Sequence, residues 1–154
     1  MSASPDNFPR IGITGLGMHV PAKVLTNADL EKMVDTTDEW IQSRTGIKER
    51  HIAEIGTTTS DLAFGAATEA LRQAKLDPKD VELLIVATTT PDMLFPSTSC
   101  LVQQRLGATA AVCFDLSAAC SGSVFAIITA QQYLLTGRYK NALVIGAEVL
   151  SSFI

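Results

Sequence analysis

The stretch ELLIVATTT, residues 82–90, places five apolar residues in a row and ends in three threonines. Polar and apolar residues do not alternate in it, so the strand that it predicts has both faces buried rather than one. Such strands are typical of parallel sheets, because the helices that connect parallel strands cover the two faces. We therefore expect this stretch to form a core strand of a parallel sheet.

Segments on both sides of this stretch predict further strands and the helices between them. The other predicted strands are IGITGLGMHVP (11–21), AAVCFDL (110–116) and NALVIGAEV (141–149). The predicted long helices start at Thr59 or Ser60 with an end at Asp77–Pro78, run over 96–107, and run over 121–137. This alternation predicts an α/β fold with a mainly parallel sheet flanked by helices.

The region before the first long helix is more polar. TNADLEKMV (26–34) predicts a short helix capped by Thr26 or Asn27, because either side chain can accept a bond from a backbone N–H of the first turn. The segment 35–52 that follows is interpreted as a polar connector. Residues 1–10 are interpreted as a disordered leader.

The bulk composition bounds the class of protein. Hydrophobic residues make up 47% of the 154 residues, and the formal net charge is −4, whereas a general nucleic-acid binder is normally basic. No apolar run approaches the ~18 residues of a membrane span, and the N-terminus lacks the apolar segment of a secretion signal. The three cysteines cannot all pair and show no C-x-x-C spacing, so we expect a reduced, cytoplasmic protein without a metal site.

The helix predicted over 121–135 is apolar nearly all the way round. Such a helix needs apolar cover on every side, but a single sheet covers one side only. The chain also stops at SSFI, directly after a predicted strand. We therefore expect partner structure that this sequence does not contain. The apolar residues of this helix are Val124, Phe125, Ala126, Ile127, Ile128, Ala130, Tyr133, Leu134 and Leu135.

The glycines of GITGLG, residues 12–17, have two interpretations. A dinucleotide-binding fingerprint has the order G-x-G-x-x-G and leads directly into a helix. Here the order is G-x-x-G-x-G, and MHVP follows. Close packing of the backbone in a strand is the favoured interpretation.

Cys120, in DLSAACSGS (115–123), is the candidate nucleophile. It lies between a predicted strand and a predicted helix, and the N–H groups of a helix's first turn stabilise a thiolate. The small neighbouring residues leave room for a substrate and let backbone N–H groups point at an oxyanion. The alternative is a cysteine that only fills the core. Cys100 and Cys113 lack this setting and are interpreted as packing residues.

Several stretches of the sequence resemble one enzyme family. They are TNADLEKMVDTTDEWIQSRTGIKERHI, VATTTPDMLFPSTSC, FDLSAACSG and ALVIGAEVLS, and the resemblance runs from Ile11 to about Ser151. The chain resembles the N-terminal half of a 3-oxoacyl-[acyl-carrier-protein] synthase III, one of the thiolase-like condensing enzymes. The resemblance implies that residues 11–154 form most of one half of a thiolase-like layered α/β fold, with the second half covering the apolar helix.

The resemblance also implies a reaction. Cys120 matches the cysteine that accepts an acyl group, with acetyl expected, from acyl-coenzyme A; malonyl-acyl-carrier protein then loses carbon dioxide and its carbanion attacks the acyl-cysteine. A His and an Asn from the missing C-terminal half complete the site, and His19 and His51 match neither. Coenzyme A thioester is a substrate rather than a cofactor. A homodimer that binds acyl-carrier protein is expected, and this chain alone is expected to be inactive.

Trp40 and Arg44 are four residues apart and share a face of a helical turn. An indole and a guanidinium can sandwich a flat base, and the resemblance implies that this pair holds the adenine end of coenzyme A, with Thr36 nearby. The alternative is that Trp40 is a core anchor. The basic residues between Arg44 and Arg50 could form a positive lip for an acidic carrier protein.

Two positions concern the acyl pocket. The resemblance implies that Phe95, in MLFPST, lies at the dimer interface and shortens the partner's acyl pocket, which would favour small acyl groups; the alternative is an ordinary core phenylalanine. Ser123 departs from the family, which often has an aromatic residue there, so the shape of the pocket is left open.

The sequence leaves further functions open. One is a related condensing enzyme of secondary metabolism or of 3-hydroxy-3-methylglutaryl synthesis. Another is a non-catalytic interaction subunit that keeps the fold and the dimer face. A second polypeptide or downstream sequence with a suitably placed His and Asn would favour the enzymes.

Overall fold

The computed structural model describes residues 9–153. The predicted leader over 1–10 therefore lies almost wholly outside the described residues, and the extent of the half-domain over 11–154 stays a prediction. The described chain divides into two compact units. The larger unit contains residues 9–19 and 58–148, and the smaller contains residues 20–57 and 149–153.

The strands and helices are numbered along the chain. The strands are β1 (Lys23–Thr26), β2 (Glu49–Ile52), β3 (Leu83–Ala87), β4 (Val112–Leu116) and β5 (Leu143–Gly146). The α-helices are α1 (Asn27–Leu30), α2 (Asp38–Thr45), α3 (Thr59–Ala74), α4 (Thr98–Leu106) and α5 (Gly122–Leu135). Short 3₁₀ turns occur at Pro78–Asp80, Ala119–Ser121 and Leu150–Phe153.

The larger unit is built on a parallel sheet with the strand order β4-β3-β5. All five residues of β3 are buried, as the unbroken apolar run predicts. Leu84 and Val86 face a core that includes Val102 of α4 and side chains of α3. Leu83 and Ile85 face a second core with α5. The α/β class with a parallel sheet flanked by helices is thus confirmed.

The strand predicted over 11–21 is wrong. The segment has no strand structure, and most of its side chains are exposed. A groove of about 430 Å³ lies between residues 11–17 and β5, so the segment makes no ladder with that edge of the sheet. It lies against α3 instead, with the backbone of Gly15 and Gly17 on the backbone of Ala70 and Ala66.

The alanine stripe of α3 explains this close approach. Ala63 and Ala67 face the core of the sheet. Ala66 and Ala70 lie on the side of α3 where the glycine backbone of the 11–17 segment packs. A Cβ at Gly15 or Gly17 would collide with the α3 backbone. Close packing is therefore the confirmed role of these glycines, although the segment that packs is not a strand.

The smaller unit corrects the interpretation of 35–52 as a connector. This segment contains α2 and β2, and β2 pairs antiparallel with β1. The predicted helix over 26–34 is present only as α1, which begins after Thr26. Thr26 is also the last residue of β1, so its extended backbone ends a strand and caps a helix at once.

The long helices of the larger unit follow the predictions closely. α3 begins at Thr59 as predicted, but it ends at Ala74, earlier than Asp77–Pro78, with Lys75 in the left-handed conformation (φ 53°) as its C-cap. α4 has Ser97 as its N-cap and Gly107 as its C-cap. The outward face of α5 stays uncovered, with exposed side chains at Val124, Phe125, Ile127 and Ile128. Within residues 9–153, no helix is long and apolar enough to cross a bilayer.

Replacing Gly17 by alanine is expected to loosen the packing of the 11–17 segment on α3. The new Cβ would collide with the Ala66 carbonyl oxygen, so the segment must move, at a cost of about 1–3 kcal/mol. Hydrogen exchange measured by mass spectrometry should show weaker protection in α3. Gly12→Ala is the matched control, because a Cβ there meets no atom within 4 Å. Equal protection in both variants would contradict this account.

Candidate active site

The carboxyl ends of the three parallel strands meet at one edge of the larger unit. Thr88 follows β3 and donates its N–H to the Leu116 carbonyl at the end of β4 (3.1 Å). Ala147 follows β5 and donates its N–H to the Ala87 carbonyl (3.1 Å). Open parallel sheets bind ligands at this edge, and the segment that follows β4 here carries Cys120.

Cys120 is exposed and lies in the 3₁₀ turn Ala119–Ser121, directly before α5. The helix-start position predicted from the sequence is thus confirmed. Ala119 has a φ of 46°, a left-handed conformation that is uncommon for residues other than glycine. The Ser121 N–H closes the turn on the Ala118 carbonyl (3.1 Å). This tight turn presents the Cys120 side chain to solvent.

The N-terminus of α5 differs from those of the other α-helices in residues 9–153. The first four each begin with a Thr or Ser side chain that accepts a backbone N–H, whereas Ser121 makes no such bond. No side chain therefore caps this helix start, and its first N–H, that of Gly122, donates to the Ala119 carbonyl of the preceding turn. The partial positive charge at a helix N-terminus favours a negatively charged group there. A thiolate or an oxyanion beside Cys120 is a group of that charge. Gly122 packs closely on Ala87 at the end of β3, because a Cβ added at Gly122 would lie only 3.2 Å from the Ala87 Cβ. This contact holds the turn against the end of β3.

The other two cysteines form a pair away from this turn. The Cys100 and Cys113 Sγ atoms are 3.6 Å apart, and the Cys113 Sγ–H donates to the Gln103 Oε1 (3.3 Å). Burial, and then the contact with Cys100, raises the pKa of Cys113 to about 11. Cys113 is consequently a protonated thiol at neutral pH and a poor nucleophile.

Two carboxylates that the sequence analysis did not single out organise the same edge of the sheet. Asp115 accepts the backbone N–H groups of Thr98 (2.8 Å) and Ser99 (2.7 Å), so it fixes the N-terminus of α4 to β4. In the sequence, Asp115 is an acidic residue inside an apolar predicted strand, and this pattern could have singled it out. The Thr98 Oγ1 next to it is buried and has no hydrogen-bond partner among the described residues.

Glu148 is the second of these carboxylates. It accepts the Thr89 backbone N–H (2.8 Å) and the Thr90 hydroxyl (2.6 Å), with longer bonds from the Thr88 and Thr89 hydroxyls. All three threonines of the run that follows β3 therefore bond to the Glu148 side chain, which lies after β5 in the sequence. This arrangement holds the start of the loop that leads to Phe95.

Phe95 lies in an exposed apolar segment. Leu94 is fully exposed, Phe95 is 89% exposed and Met93 is about half exposed. Phe95 is thus not a core side chain in this chain, although its predicted place in a dimer stays a prediction. Ser123, the departure from the family, lies beside Gly146, where an added Cβ would collide with the serine hydroxyl.

The predicted coenzyme A residues lie in the smaller unit. The Arg44 guanidinium carbon is 5.5 Å from the centroid of the Trp40 ring, and Trp40 is 56% exposed. Trp40 is not a core anchor in this chain. A flat base between the two groups needs about 7 Å, or two contacts of about 3.5 Å, so the guanidinium must move outward by about 1.5 Å to admit one. Thr36 is half-buried, two residues before α2.

Asn27 is the centre of the network that holds α2 in place. Its buried side chain donates to the Asp38 Oδ1 (2.7 Å) and the Ile47 carbonyl (2.8 Å), and it accepts from the Arg50 Nη2 (2.7 Å). The hydrogen bond from Asn27, and then the one from Gln42 (2.6 Å), lower the pKa of Asp38. Arg50 also bonds the Leu25 carbonyl, so it points into the unit rather than toward a positive lip.

The two histidines have structural contacts. The His51 Nδ1 lies 2.5 Å from the Pro21 carbonyl oxygen, and the His19 ring packs on Gly65 of α3. Within the described residues, no three His, Cys, Asp or Glu side chains cluster in a way that could hold a metal ion.

Comparison with known proteins connects this geometry to a family. Residues 114–154, which include the Cys120 turn, match the model of 3-Oxoacyl-[acyl-carrier-protein (ACP)] synthase III. A beta-ketoacyl-[acyl-carrier-protein] synthase III of Desulfitobacterium hafniense (strain Y51) is 60% identical over 144 residues, or 94% of this chain and 44% of the relative. The chain belongs to this synthase III family.

Solved structures agree with that assignment. The 3-oxoacyl-[acyl-carrier-protein] synthase III of Aquifex aeolicus VF5 superposes with a TM-score of 0.87 at 54% identity, over 91% of this chain and 45% of that one. The priming beta-ketosynthase of the R1128 polyketide pathway gives a TM-score of 0.83 at 35% identity, over 87% and 40%. The thiolase-like α/β fold is confirmed, and the chain spans less than half the length of these synthases.

In this synthase III chain, Glu148→Ala should release the loop after β3. The Thr89 N–H and the three threonine hydroxyls lose their common acceptor, and a bond to a charged group contributes about 1.5–3 kcal/mol. Hydrogen exchange of residues 88–95 should accelerate, and limited proteolysis should cut there first. Glu69→Ala, which removes a carboxylate that pairs with Arg72 within α3, should leave the loop unchanged. Loop exchange that is equal in the two variants would show that Glu148 does not hold it.

Proposed function

We propose that the complete enzyme starts fatty-acid synthesis by condensing acyl-coenzyme A, with acetyl as the acyl group, with malonyl-acyl-carrier protein. By complete enzyme we mean this chain joined to a C-terminal half such as that of the Desulfitobacterium hafniense relative. The observation that carries the proposal is the position of Cys120 on an exposed tight turn, before a helix whose first-turn amides have no side-chain cap.

In the first step, the Cys120 sulfur attacks the thioester carbonyl of acyl-coenzyme A. Negative charge develops on the carbonyl oxygen, and the partial positive charge at the N-terminus of α5 would stabilise it. The tetrahedral intermediate collapses, the coenzyme A thiolate leaves and takes up a proton, and the acyl group stays on Cys120. Such a covalent intermediate divides one difficult transfer into two easier ones.

In the second step, malonyl-acyl-carrier protein loses carbon dioxide, and the carbanion that forms attacks the acyl-cysteine carbonyl. The new carbon–carbon bond releases the Cys120 thiolate and leaves a 3-oxoacyl thioester on the carrier protein. A His and an Asn from the C-terminal half would polarise the malonyl thioester carbonyl. Neither His19 nor His51 is assigned to that task, so this chain alone is expected not to condense.

Binding of coenzyme A is assigned to the smaller unit. Trp40 and Arg44 are exposed on one face of α2 and already contact each other, so an adenine could enter between them, with Thr36 beside the helix start. The Asn27 network keeps α2 fixed while Arg44 moves. No resident cofactor is needed, because the coenzyme A thioester is itself the substrate.

Three further partners belong to the proposal. The C-terminal half would cover the exposed apolar side chains of α5, and a second copy of the enzyme would cover the Met93–Phe95 segment. Acyl-carrier protein is acidic by the family's pattern, and Arg44 and Lys48 are the exposed basic residues available to it, because Arg50 is held internally. A cytoplasmic location stays a prediction from the cysteine usage.

A second candidate function is the priming of polyketide synthesis, favoured by the similarity to the R1128 ketosynthase. The small side chain at Ser123, where the family often has an aromatic residue, would widen the acyl pocket and suit a longer acyl group. Assays with acetyl-, butyryl- and hexanoyl-coenzyme A separate the two functions, since an enzyme of fatty-acid initiation should prefer acetyl. Failure with all three would favour the non-catalytic interaction subunit.

Acylation should occur on Cys120. Incubating the complete enzyme with acetyl-coenzyme A in the absence of malonyl substrate should trap one acetyl group, because the second step cannot follow. Peptide mass spectrometry should place that group on Cys120, and Cys120→Ser should abolish condensation because a serine hydroxyl is not activated by a helix start as a thiol is.

Cys100→Ser is the matched control and should condense at the normal rate. An acetyl group on Cys100 or Cys113, or a Cys120→Ser variant that condenses normally with its circular dichroism unchanged, would show that the assignment is wrong.

Trp40→Ala should weaken coenzyme A binding to the complete enzyme by about 1–3 kcal/mol, the range for losing one stack between an aromatic side chain and a base. Isothermal titration calorimetry measures the change. Trp40→Phe should lose less, because a smaller aromatic face remains, and Met33→Ala, which removes another exposed apolar side chain of the same unit, should lose nothing. Unchanged affinity in Trp40→Ala would show that the indole is not part of the coenzyme A binding site.

A further inference from the structure

Cys100 and Cys113 lie within reach of each other on two neighbouring elements. Cys100 is in the first turn of α4 and Cys113 is the second residue of β4. Their Sγ atoms are 3.6 Å apart, and both residues are partly exposed free cysteines. The two elements belong to the same compact unit, so the distance does not depend on how the chain's units are arranged.

The two sulfurs have opposite hydrogen-bond roles. The Ser97 hydroxyl donates to the Cys100 Sγ (3.1 Å). Contrary to the expectation from the sequence, Cys100 also has a helix-start position, because it lies in the first turn of the nine-residue α4. The Cys113 Sγ–H donates to the Gln103 Oε1 (3.3 Å). Burial raises the pKa of Cys113 to about 11, so it keeps its proton. The Cys100 sulfur is thus placed to react first, and the Cys113 sulfur to react in a second step.

We propose that Cys100 and Cys113 are a dithiol site that low-molecular-weight disulfides such as oxidised glutathione convert to an intramolecular disulfide. The Cys100 thiolate attacks one sulfur of the oxidant, forms a mixed disulfide and releases one thiol. Cys113 then gives up its proton, attacks the Cys100 sulfur and releases the second thiol. It is a poor nucleophile toward an oxidant in solution, but it lies 3.6 Å from the Cys100 sulfur, and this proximity favours the intramolecular attack. The two protein protons end on the two released thiols, and the two protein sulfurs are oxidised as the oxidant is reduced.

Closure requires only a local movement. A disulfide has a sulfur–sulfur distance of about 2.05 Å, so the two sulfurs must approach by about 1.5 Å. The Gln103 side chain that accepts from Cys113 is also held by its bond to the Ala111 carbonyl (2.6 Å), and it stays in place when the thiol leaves. The disulfide would join α4 to β4 beside the Asp115 cap of α4.

The test is carried out on the complete enzyme treated with excess oxidised glutathione at pH 8, with remaining thiols blocked by iodoacetamide. Cleavage after Arg105 by trypsin and before Asp92 and Asp115 by endoproteinase Asp-N separates all three cysteines. We expect residues 92–105 and 106–114 to appear as one cross-linked peptide pair that a reductant splits. Cys120→Ser should give the same pair.

Single variants test the order of the two steps. In Cys113→Ser, the reaction should stop with glutathione on Cys100. In Cys100→Ser, Cys113 should stay unmodified because it is protonated at pH 8. No cross-linked pair in the unsubstituted enzyme, or glutathione on Cys113 as readily as on Cys100, would overturn the proposal. The disulfide and the acetylation of Cys120 are measured on different peptides, because Cys120 lies in residues 115–138. Failure of the disulfide proposal can therefore be told apart from failure of the proposed function.

Discussion

The complete burial of β3 is the constraint on which the larger unit depends. A strand with no exposed residue needs a strand on each side and helices over both faces, and β4, β5, α3, α4 and α5 supply them. Parallel pairing then brings the carboxyl ends of the three strands to one edge, so every segment that leaves this edge begins beside the other two. The turn with Cys120 lies there because the topology allows it no other place.

Carboxylates and hydroxyls organise the edge that this topology creates. Asp115 holds the start of α4, and Glu148 gathers the threonines after β3. In the smaller unit, Asn27 does the same for α2. Each of these side chains satisfies several backbone or side-chain groups at once, which is how buried or half-buried polar atoms avoid a desolvation penalty. The candidate ligand-binding residues project from elements that these networks fix.

The unbroken run in β3 predicted the sheet, and the stretch 96–107 predicted α4, because buried strands and helix ends have strong local signals. The structure shows Ser97 and Gly107 as the caps of α4. The strand predicted over 11–21 failed because its apolar pattern is real but its glycines favour contact with α3 over a ladder. Of the site, the position of Cys120 could be predicted from the strand–helix boundary. Glu148 and Asn27 could not, since their partners are distant in sequence and each side chain by itself resembles an ordinary surface residue.

The left-handed backbone of Ala119 restricts which amino acids position 119 can hold. At a φ of 46°, glycine, asparagine and aspartate are accommodated with little strain, whereas valine, isoleucine and threonine are excluded by their branched Cβ. In a library randomised at this codon, the variants that survive selection should therefore carry only a few amino acids at position 119, even though the side chain of Ala119 is exposed. The selection would be imposed by a backbone angle one residue before Cys120, and a search for functional residues based on side-chain chemistry would overlook it.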